Sequence, residues 1–319
     1  MPSEFELIAR HFTRPLHHTV LGVGDDGALM RPTPGMDLVV TTDMLAAGTH
    51  FFPDADPAAL GWKALAVNLS DLAAMGAQPR WAVVAAALPQ ADEAWVGAFA
   101  DGLFAAAAAF AVDIVGGDTT RGPLNITPTL FGEVPPGAAL RRDAAQAGDD
   151  LWVSGAPGLA ALGLAHLQGR VVLEAASREA CLAALHRPQP RVALGLALRG
   201  IATSAIDVSD GLLADLGHVL DASALSATID FERLPTAARR ACSDETLARD
   251  SLLGGSDDYE LLFSAPSGRR AQIASLAAPL GVALSRIGTL RAGSVGAVSL
   301  LDAAGRVISQ TVRGYDHFA

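Results

Sequence analysis

"VNLSDLAAMGAQP", residues 67–79, is predicted to end an amphipathic helix, yet it carries an amide and a carboxylate, Asn68 and Asp71. The buried stripe of this helix repeats at i, i+4 and i+7 and consists of Leu65, Leu69 and Leu72. Asn68 and Asp71 are three residues apart and therefore share a different face. Two interpretations stay open. The pair is hydrogen-bonded on an exposed side of the helix, or Asp71 points into a ligand site with Asn68 supporting it.

The residues around this stretch predict a complete helix with strands on both sides. Asp56 is placed to cap the N-terminus, Pro57 takes the first helical position and Gly76 ends the helix. The flanking sequence alternates strand and helix patterns. Strands are predicted at 38–42, 81–88, 112–118 and 124–134, and a helix at 92–111.

A second unit is predicted beyond the connector at 134–149. Residues 150–155 predict a strand entering a glycine-rich turn, 204–220 a strand, an acidic turn and a helix, and 269–280 a further helix. A chain of 319 residues is long for one core. We therefore expect an α/β (α+β) protein of two domains, 1–138 and 139–319, with mixed sheets packed with helices in each.

Composition excludes several classes of protein. The net charge of −11 argues against a nucleic-acid partner. Cys181 and Cys242 show no metal or redox spacing and favour a reducing compartment. The longest apolar run, 102–112, is too short to span a bilayer, and the first twelve residues carry acids, unlike a signal peptide. We expect a cytoplasmic protein with no nucleic-acid and no membrane partner.

Most of the notable acids lie at predicted strand ends or in turns. They are Asp25, Asp26, Asp43, Asp118, Asp207, Asp210, Asp257 and Asp258. Each alone has an ordinary explanation as a turn residue or helix cap, as Asp210 has before the helix at 211–220. Together they indicate bound cations, because clustered carboxylates repel one another unless cations lie between them. Oxygen ligands without Cys or His spacing favour Mg²⁺ over zinc.

A phosphate-bearing ligand fits such a site, because Mg²⁺ usually combines one or two carboxylates with substrate phosphates. The chain has no G-x-x-x-x-G-K-[ST] loop, and Lys63 is its only lysine. We therefore expect metal ions to neutralise most of the phosphate charge, with Arg121 or Arg142 assisting. The glycine-rich turns at 22–27 and 116–122 would allow the backbone to approach phosphate closely.

Seven motifs resemble those of the thiamine-monophosphate kinases in order and spacing: "GVGDDGAL", "TTDMLAAGTHF", "KALAVNLSDLAAMGAQP", "GGDTTRGPL", "AIDVSDGLLADLGH", "DYELLF" and "GYDHF". The resemblance extends from about residue 4 to residue 318, nearly the whole chain. It implies the two-domain aminoimidazole-ribonucleotide synthetase-like fold, on which ATP is used without a P-loop. It also implies a homodimer built through residues 1–138, which bind metal and ATP, while 139–319 complete the active site.

The activity implied is Mg²⁺-dependent, in-line transfer of the ATP γ-phosphoryl group to thiamine monophosphate, the last step of thiamine diphosphate biosynthesis. The resemblance implies that the magnesium ligands are Asp26, Thr41, Thr42, Asp43, Asp71, Asp118, Asp207 and Asp210. The implied ATP contacts are Gly117, Asp118, Arg142 and Ser209. The implied substrate contacts are His50, Asp257 and Tyr315. No general base is assigned, because the acceptor phosphate, with a second pKa of about 6, is already ionised at neutral pH.

Two positions depart from the family pattern. Asp257 stands in "GGSDDYE" where the family usually has glutamate, so the carboxylate reaches one methylene less. The turn at 158–163, "GLAALG", lacks the Asp-Ser pair that usually follows the glycine. His17, His18 and His218 are expected to be structural.

Other members of the superfamily fit less well. The chain lacks the reactive cysteine near the N-terminus of selenophosphate synthetase, the terminal cysteine of the hydrogenase-maturation dehydratase, and the Gly-Thr-Lys run of the cycloligase branch. A non-catalytic nucleotide- or Mg²⁺-binding regulator on the same fold remains an alternative. Product formation, and not ligand binding, distinguishes it from a kinase.

Overall fold

The computed structural model describes residues 4–309 and 314–315, which divide into two compact units. The first comprises the described residues up to Leu72 together with Ala77–Gly137, and the second comprises Ala73–Gly76 and the described residues from Ala138 onward. None of the described helices is long and apolar enough to cross a membrane.

The first unit is built on a sheet with the strand order β3-β7-β5-β6, in which β4 also pairs with β7. Strands β5 and β6 are parallel, and the other pairs are antiparallel. A small β1-β2 ribbon precedes the sheet. The elements are α1 (Glu4–Leu7), β1 (Thr19–Leu21), β2 (Leu29–Met30), β3 (Asp37–Thr42), β4 (Leu45–Ala46), α2 (Pro57–Ala74), β5 (Gln78–Leu88), α3 (Glu93–Ala109), β6 (Asp113–Arg121) and β7 (Asn125–Val134).

Helix α2 forms as its sequence predicts. Asp56 Oδ1 accepts hydrogen bonds from the backbone N–H groups of Ala58 and Ala59, at 2.7 and 3.2 Å, and so caps the N-terminus. Gly76 adopts the left-handed conformation, with φ +63°, just beyond the last turn. Helix α3 packs so closely on α2 that a Cβ at Gly102 would lie 1.8 Å from the carbonyl oxygen of Ala58.

The two faces of the first sheet differ. One face is buried under α2, as a Cβ at Gly132 in β7 would lie 3.2 Å from Leu72 of that helix. The core residues of this face include Val39, Ala82, Ile114 and Leu130. On β3, the opposite face leaves Leu38 and Val40 48% and 55% exposed. The first sheet therefore presents an apolar surface on the side away from its helices.

The second unit contains a six-stranded sheet with the order β13-β10-β12-β8-β11-β9. Only β10 and β13 are parallel among its described pairs. Its core packs the sheet against helices through apolar residues such as Val153, Ile206, Leu216 and Leu262. The elements are β8 (Asp150–Ser154), α4 (Leu159–Leu167), α5 (Ala175–His186), α6 (Val192–Leu198), β9 (Ser204–Val208), α7 (Leu212–Ser223), β10 (Ser226–Asp230), α8 (Ala237–Ala241), α9 (Glu245–Gly254), β11 (Glu260–Ala265), α10 (Arg270–Leu280), β12 (Leu284–Arg291) and β13 (Val298–Leu301).

One predicted boundary is wrong in a way that affects the site. The strand expected at 112–118 continues past Asp118, and β6 ends only at Arg121. The ladder continues because β6 pairs with β5 from Asp113 to Arg121, across a register shift. Asp118 therefore lies within an edge strand and not in a turn after it.

Candidate functional site

Asp71 projects from α2 onto strand β3. The hydroxyl of Thr41 donates a hydrogen bond to Asp71 Oδ2, and Asp43 follows two residues later at the end of the strand. Thr42 points to the other face, where its hydroxyl donates to the carbonyl oxygen of Pro128 at 3.0 Å and accepts from Thr129. The end of β3 thus places side-chain oxygens that could bind a metal on both faces of the sheet.

Asn68 and Asp71 do not form a solvated pair on the surface of α2. Asn68 is fully buried, and neither of its side-chain polar atoms has a hydrogen-bond partner among the described residues. Asp71 is partly exposed. The interpretation of an exposed polar pair is therefore wrong. A buried amide without hydrogen-bond partners lowers stability, so Asn68 is the position on this helix where the fold carries a cost that packing does not explain.

Asp118 is not close to Asp43 within the first unit. Asp118 of β6 pairs with Ala85 of β5, and Thr42, next to Asp43, pairs with Thr129 of β7. Strands β7 and β5 lie between them. Three strand spacings of about 4.8 Å put the two backbones about 14 Å apart. Asp26 lies in the turn between β1 and β2, where its N–H donates to Asp25 Oδ1 at 2.8 Å.

Gly117 allows β6 to lie against β5. A Cβ at this position would lie 2.0 Å from the carbonyl oxygen of Val84, whereas a Cβ at Gly116 would meet nothing within 4 Å. The glycine is therefore required for the path of the strand that carries Asp118.

In the second unit, the turn after β9 is built around a buried carboxylate that the sequence analysis missed. Asp215 Oδ2, from the first turn of α7, accepts hydrogen bonds from the backbone N–H groups of Ser209, Asp210 and Gly211 at 3.0 to 3.1 Å. Burial raises the pKa of Asp215 to about 7, opposed by these donors and reinforced by the charge of Asp210. An acid in the first helical turn after a strand and an acidic turn is the pattern that could have indicated it.

Three groups in this region meet the geometry of a metal site. Ligand atoms of Asp210, Asp215 and His218 lie within 4.8 Å of one another, and they form the one such group of three in the described part of the chain. Asp207 lies beside them in sequence but is buried within β9. His218, expected to be structural, therefore has acids within reach.

Backbone hydrogen bonds bring the separate motifs of the second unit together. The N–H of Asp257 donates to the carbonyl oxygen of Ser209 at 2.9 Å, and that of Tyr315 donates to the carbonyl oxygen of Asp210 at 3.0 Å. Asp257 and Tyr315 thus adjoin the turn that carries Ser209 and Asp210. The other residues of the terminal motif, 316–318, lie outside the described residues.

Arg142 is held through its carbonyl oxygen, and His50 is held through one ring nitrogen. Arg142 begins a short 3₁₀ turn, and its carbonyl oxygen accepts a hydrogen bond from Oγ of Ser223, the last residue of α7, at 2.7 Å. The side chain of Arg142 is exposed. In the first unit, Nδ1 of His50 accepts from the N–H of Ala46 at 3.0 Å. The neutral ring therefore carries its proton on Nε2.

The altered turn at 158–163 receives its cap from elsewhere. Helix α4 has no capping side chain of its own at Gly158, but Asp258 Oδ2 accepts from the Gly158 N–H at 2.7 Å. Burial, together with the charges of Glu260 and Asp257, raises the pKa of Asp258 well above its usual range despite the donors at the helix N-terminus. Asp258 therefore stabilises the turn in place of a local side chain.

Comparisons with known proteins agree on both units. The model of the AIR synthase related protein N-terminal domain matches residues 24–134, and that of the C-terminal domain matches 146–300. The thiamine-monophosphate kinase of Escherichia coli (strain K12) is 46% identical over 323 residues, covering 99% of this chain and 98% of that protein. A crystal structure of thiamine-monophosphate kinase from Stenotrophomonas maltophilia K279a superposes with a TM-score of 0.85 at 45% identity, covering 95% of this chain and 96% of that one. AaThiL complexed with AMPPCP and TMP superposes with a TM-score of 0.79 at 28% identity, covering 98% and 96%.

Proposed function

The chain belongs to the thiamine-monophosphate kinases of the AIR synthase related family, and from this membership we infer that it transfers the γ-phosphoryl group of ATP to thiamine monophosphate. The products are thiamine diphosphate and ADP. The observation that carries this conclusion is the full-length similarity to named kinases, together with a structural relative that holds an ATP analogue and TMP.

The reaction poses a problem of position and charge. The acceptor is a phosphate monoester with a second pKa of about 6, so it is largely ionised at neutral pH and needs no general base. The barrier lies in bringing two anions into line. The protein must therefore hold both phosphates and offset their charge.

Magnesium ions fit the donors that the chain offers. The proposed ligands are carboxylates and hydroxyls, the hard oxygen ligands that Mg²⁺ prefers, and the carboxylate of Asp215 lies within 4.8 Å of that of Asp210. When bound, Mg²⁺ would neutralise charge between the donor and acceptor phosphates. The residues that would hold it are Asp26, Thr41, Thr42, Asp43, Asp71, Asp118, Asp207 and Asp210.

The remaining residues bind the two substrates in this proposal. Gly117, Asp118, Arg142 and Ser209 contact the nucleotide. His50, through Nε2, together with Asp257 and Tyr315 contacts thiamine monophosphate. The proposal is supported for Ser209, Asp257 and Tyr315 by the backbone hydrogen bonds that join their segments. Residues 1–138 supply metal and ATP binding, and 139–319 complete the site.

A second copy of the chain is needed to bring Asp43 and Asp118 to one site. Asp43 follows the edge strand β3, and Asp118 lies on the edge strand β6 at the opposite edge of the first sheet. Edge strands offer unpaired backbone groups to a partner, and a twofold dimer joins two such edges at once. The exposed apolar residues Leu38, Val40 and Met44 support burial of this region in a homodimer. In this dimer, the partner subunit supplies the carboxylate of residue 118 to the site of Asp43.

The protein is proposed to act in the cytoplasm. Both cysteines are free thiols, as in a reducing compartment, and ATP is the co-substrate.

The deciding experiment incubates the protein with ATP, Mg²⁺ and thiamine monophosphate and separates the products by chromatography. We expect thiamine diphosphate and ADP in equal amounts. A reaction without thiamine monophosphate measures ATP hydrolysis, and one with free thiamine measures selectivity for the phosphate acceptor. Bound ATP with no thiamine diphosphate formed would instead indicate the non-catalytic regulator.

Asp257→Glu is expected to keep or lower the KM for thiamine monophosphate, because glutamate carries the same charge one methylene further toward the substrate. Steady-state kinetics at saturating ATP measure the change, with Asp257→Asn as the control that removes the charge. A large increase in KM for Asp257→Glu would show that the carboxylate does not meet the substrate.

A further inference from the structure

The segment from Ser256 to Glu260 adopts a backbone path that its side chains disfavour. Asp257 and Tyr259 both have positive φ, +70° and +50°, in the left-handed region. Tyrosine gains nothing there from a short polar side chain, unlike asparagine or aspartate. Such strain persists only where the surroundings determine the backbone, and it is concentrated at ligand sites.

Hydrogen bonds on both sides hold this path. The N–H groups of Asp257 and Tyr259 donate to the carbonyl oxygens of Ser209 and Val208 at 2.9 and 2.8 Å. Asp258 accepts from the N-terminus of α4. The segment is therefore fixed against the end of β9.

The downstream end is anchored by a buried ion pair. Glu260, at the start of β11, accepts from both Nε and Nη2 of Arg191 at 2.6 Å, and from Ser154 Oγ at 2.5 Å. A bidentate guanidinium–carboxylate pair is geometrically specific and restricts rotation of both groups. Residue 259 is thus held between two fixed positions.

With residues 257 and 259 both in the left-handed region, the Tyr259 hydroxyl reaches the Asp257 side chain. The Tyr259 hydroxyl donates to Asp257 Oδ1 at 3.0 Å. A hydrogen bond from a phenol restricts the rotation of a carboxylate. Fixing the carboxylate matters more for an aspartate at position 257 than for a glutamate, because the shorter aspartate side chain can reach the same ligand group in fewer conformations.

We propose that Tyr259 is a positioning residue for substrate binding: its hydroxyl holds the Asp257 carboxylate in the orientation in which that carboxylate meets the cationic heterocycle of thiamine monophosphate. The proposal rests on the proposed function. Tyr259 itself contacts neither phosphate in this account. Its removal should therefore weaken substrate binding without slowing the transfer step.

The test is a double-mutant cycle between Tyr259→Phe and Asp257→Ala. Tyr259→Phe should raise the KM for thiamine monophosphate about tenfold, the effect of losing a hydrogen bond to a charged group, with kcat within about twofold and the KM for ATP unchanged. In the Asp257→Ala background, Tyr259→Phe should cause no further increase, because its effect acts through the missing carboxylate. An equal increase in both backgrounds, an unchanged KM, or a fall in kcat alone would overturn the proposal.

Ser264→Ala provides the matched control for loss of stability. It removes one hydroxyl from the same strand, β11, where Ser264 contacts Thr203 and Ser204 away from the 256–260 segment. It should lower the unfolding temperature and leave the KM for thiamine monophosphate unchanged. If the wild-type protein forms no thiamine diphosphate, the proposed function fails. If it does and the cycle is additive, only the role of Tyr259 fails.

Discussion

Asp43→Asn and Asp118→Asn should each lower kcat on the order of 10²-fold or more, as expected when one group that stabilises charge in the transition state is lost. The substitution changes little in volume but replaces a negative oxygen ligand with an amide. Asp43 is partly exposed just after β3, and Asp118 is exposed on the edge strand β6, so neither substitution opens a cavity in the core. The loss should therefore appear in turnover and not in stability.

This prediction is measured by initial rates at saturating ATP and limiting Mg²⁺. Asp37→Asn is the matched control, because it makes the same change at the exposed start of β3, six residues from Asp43. We expect the control to retain wild-type turnover. Near wild-type turnover in both Asp43→Asn and Asp118→Asn would remove the metal assignment.

Gly117→Ala should abolish most of the activity and destabilise the first unit. Its Cβ would lie 2.0 Å from the carbonyl oxygen of Val84, a backbone atom of β5 that has no alternative rotamer. Strand β6 must therefore shift, and overpacking of this kind typically costs about 1–3 kcal/mol. Because a displacement of about 1 Å at a positioned group can cost about 10²-fold in rate, the shift of Asp118 should be visible in kcat.

The adjacent Gly116→Ala tests whether the effect is steric. A Cβ at that position meets nothing within 4 Å, so the unfolding temperature of Gly116→Ala should stay near that of the wild type. Thermal unfolding of both variants makes the comparison. Equal unfolding temperatures for Gly117→Ala and the wild type would show that β5 accommodates the methyl group.

The features predictable from sequence are those that depend on neighbours in the chain. The frame of α2 is confirmed because Asp56, Pro57 and Gly76 act on the backbone within a few residues. The strands β3, β5, β6 and β7 and the helices α3 and α10 follow from periodicity, and the family follows from motifs whose order and spacing extend over both units.

The remaining features depend on contacts between distant residues. The separation of Asp43 and Asp118 follows from the strand order, which periodicity does not encode. Asp215 appears as an ordinary helical acid until the N–H groups of the preceding turn are seen to converge on it. Tyr259 is indistinguishable from a core aromatic residue until its backbone conformation turns the hydroxyl onto Asp257.

Mixed dimers of Asp43→Asn and Asp118→Asn subunits give the most direct test that a second copy completes the acidic site. Two different affinity tags isolate dimers that contain one subunit of each kind, and thiamine diphosphate formation is then measured. A site shared between subunits leaves one of its two copies intact, so the mixed dimer should recover about half of the wild-type turnover. Turnover no higher than that of the two parent variants would show that both carboxylates act within one chain, or that they do not act at one site.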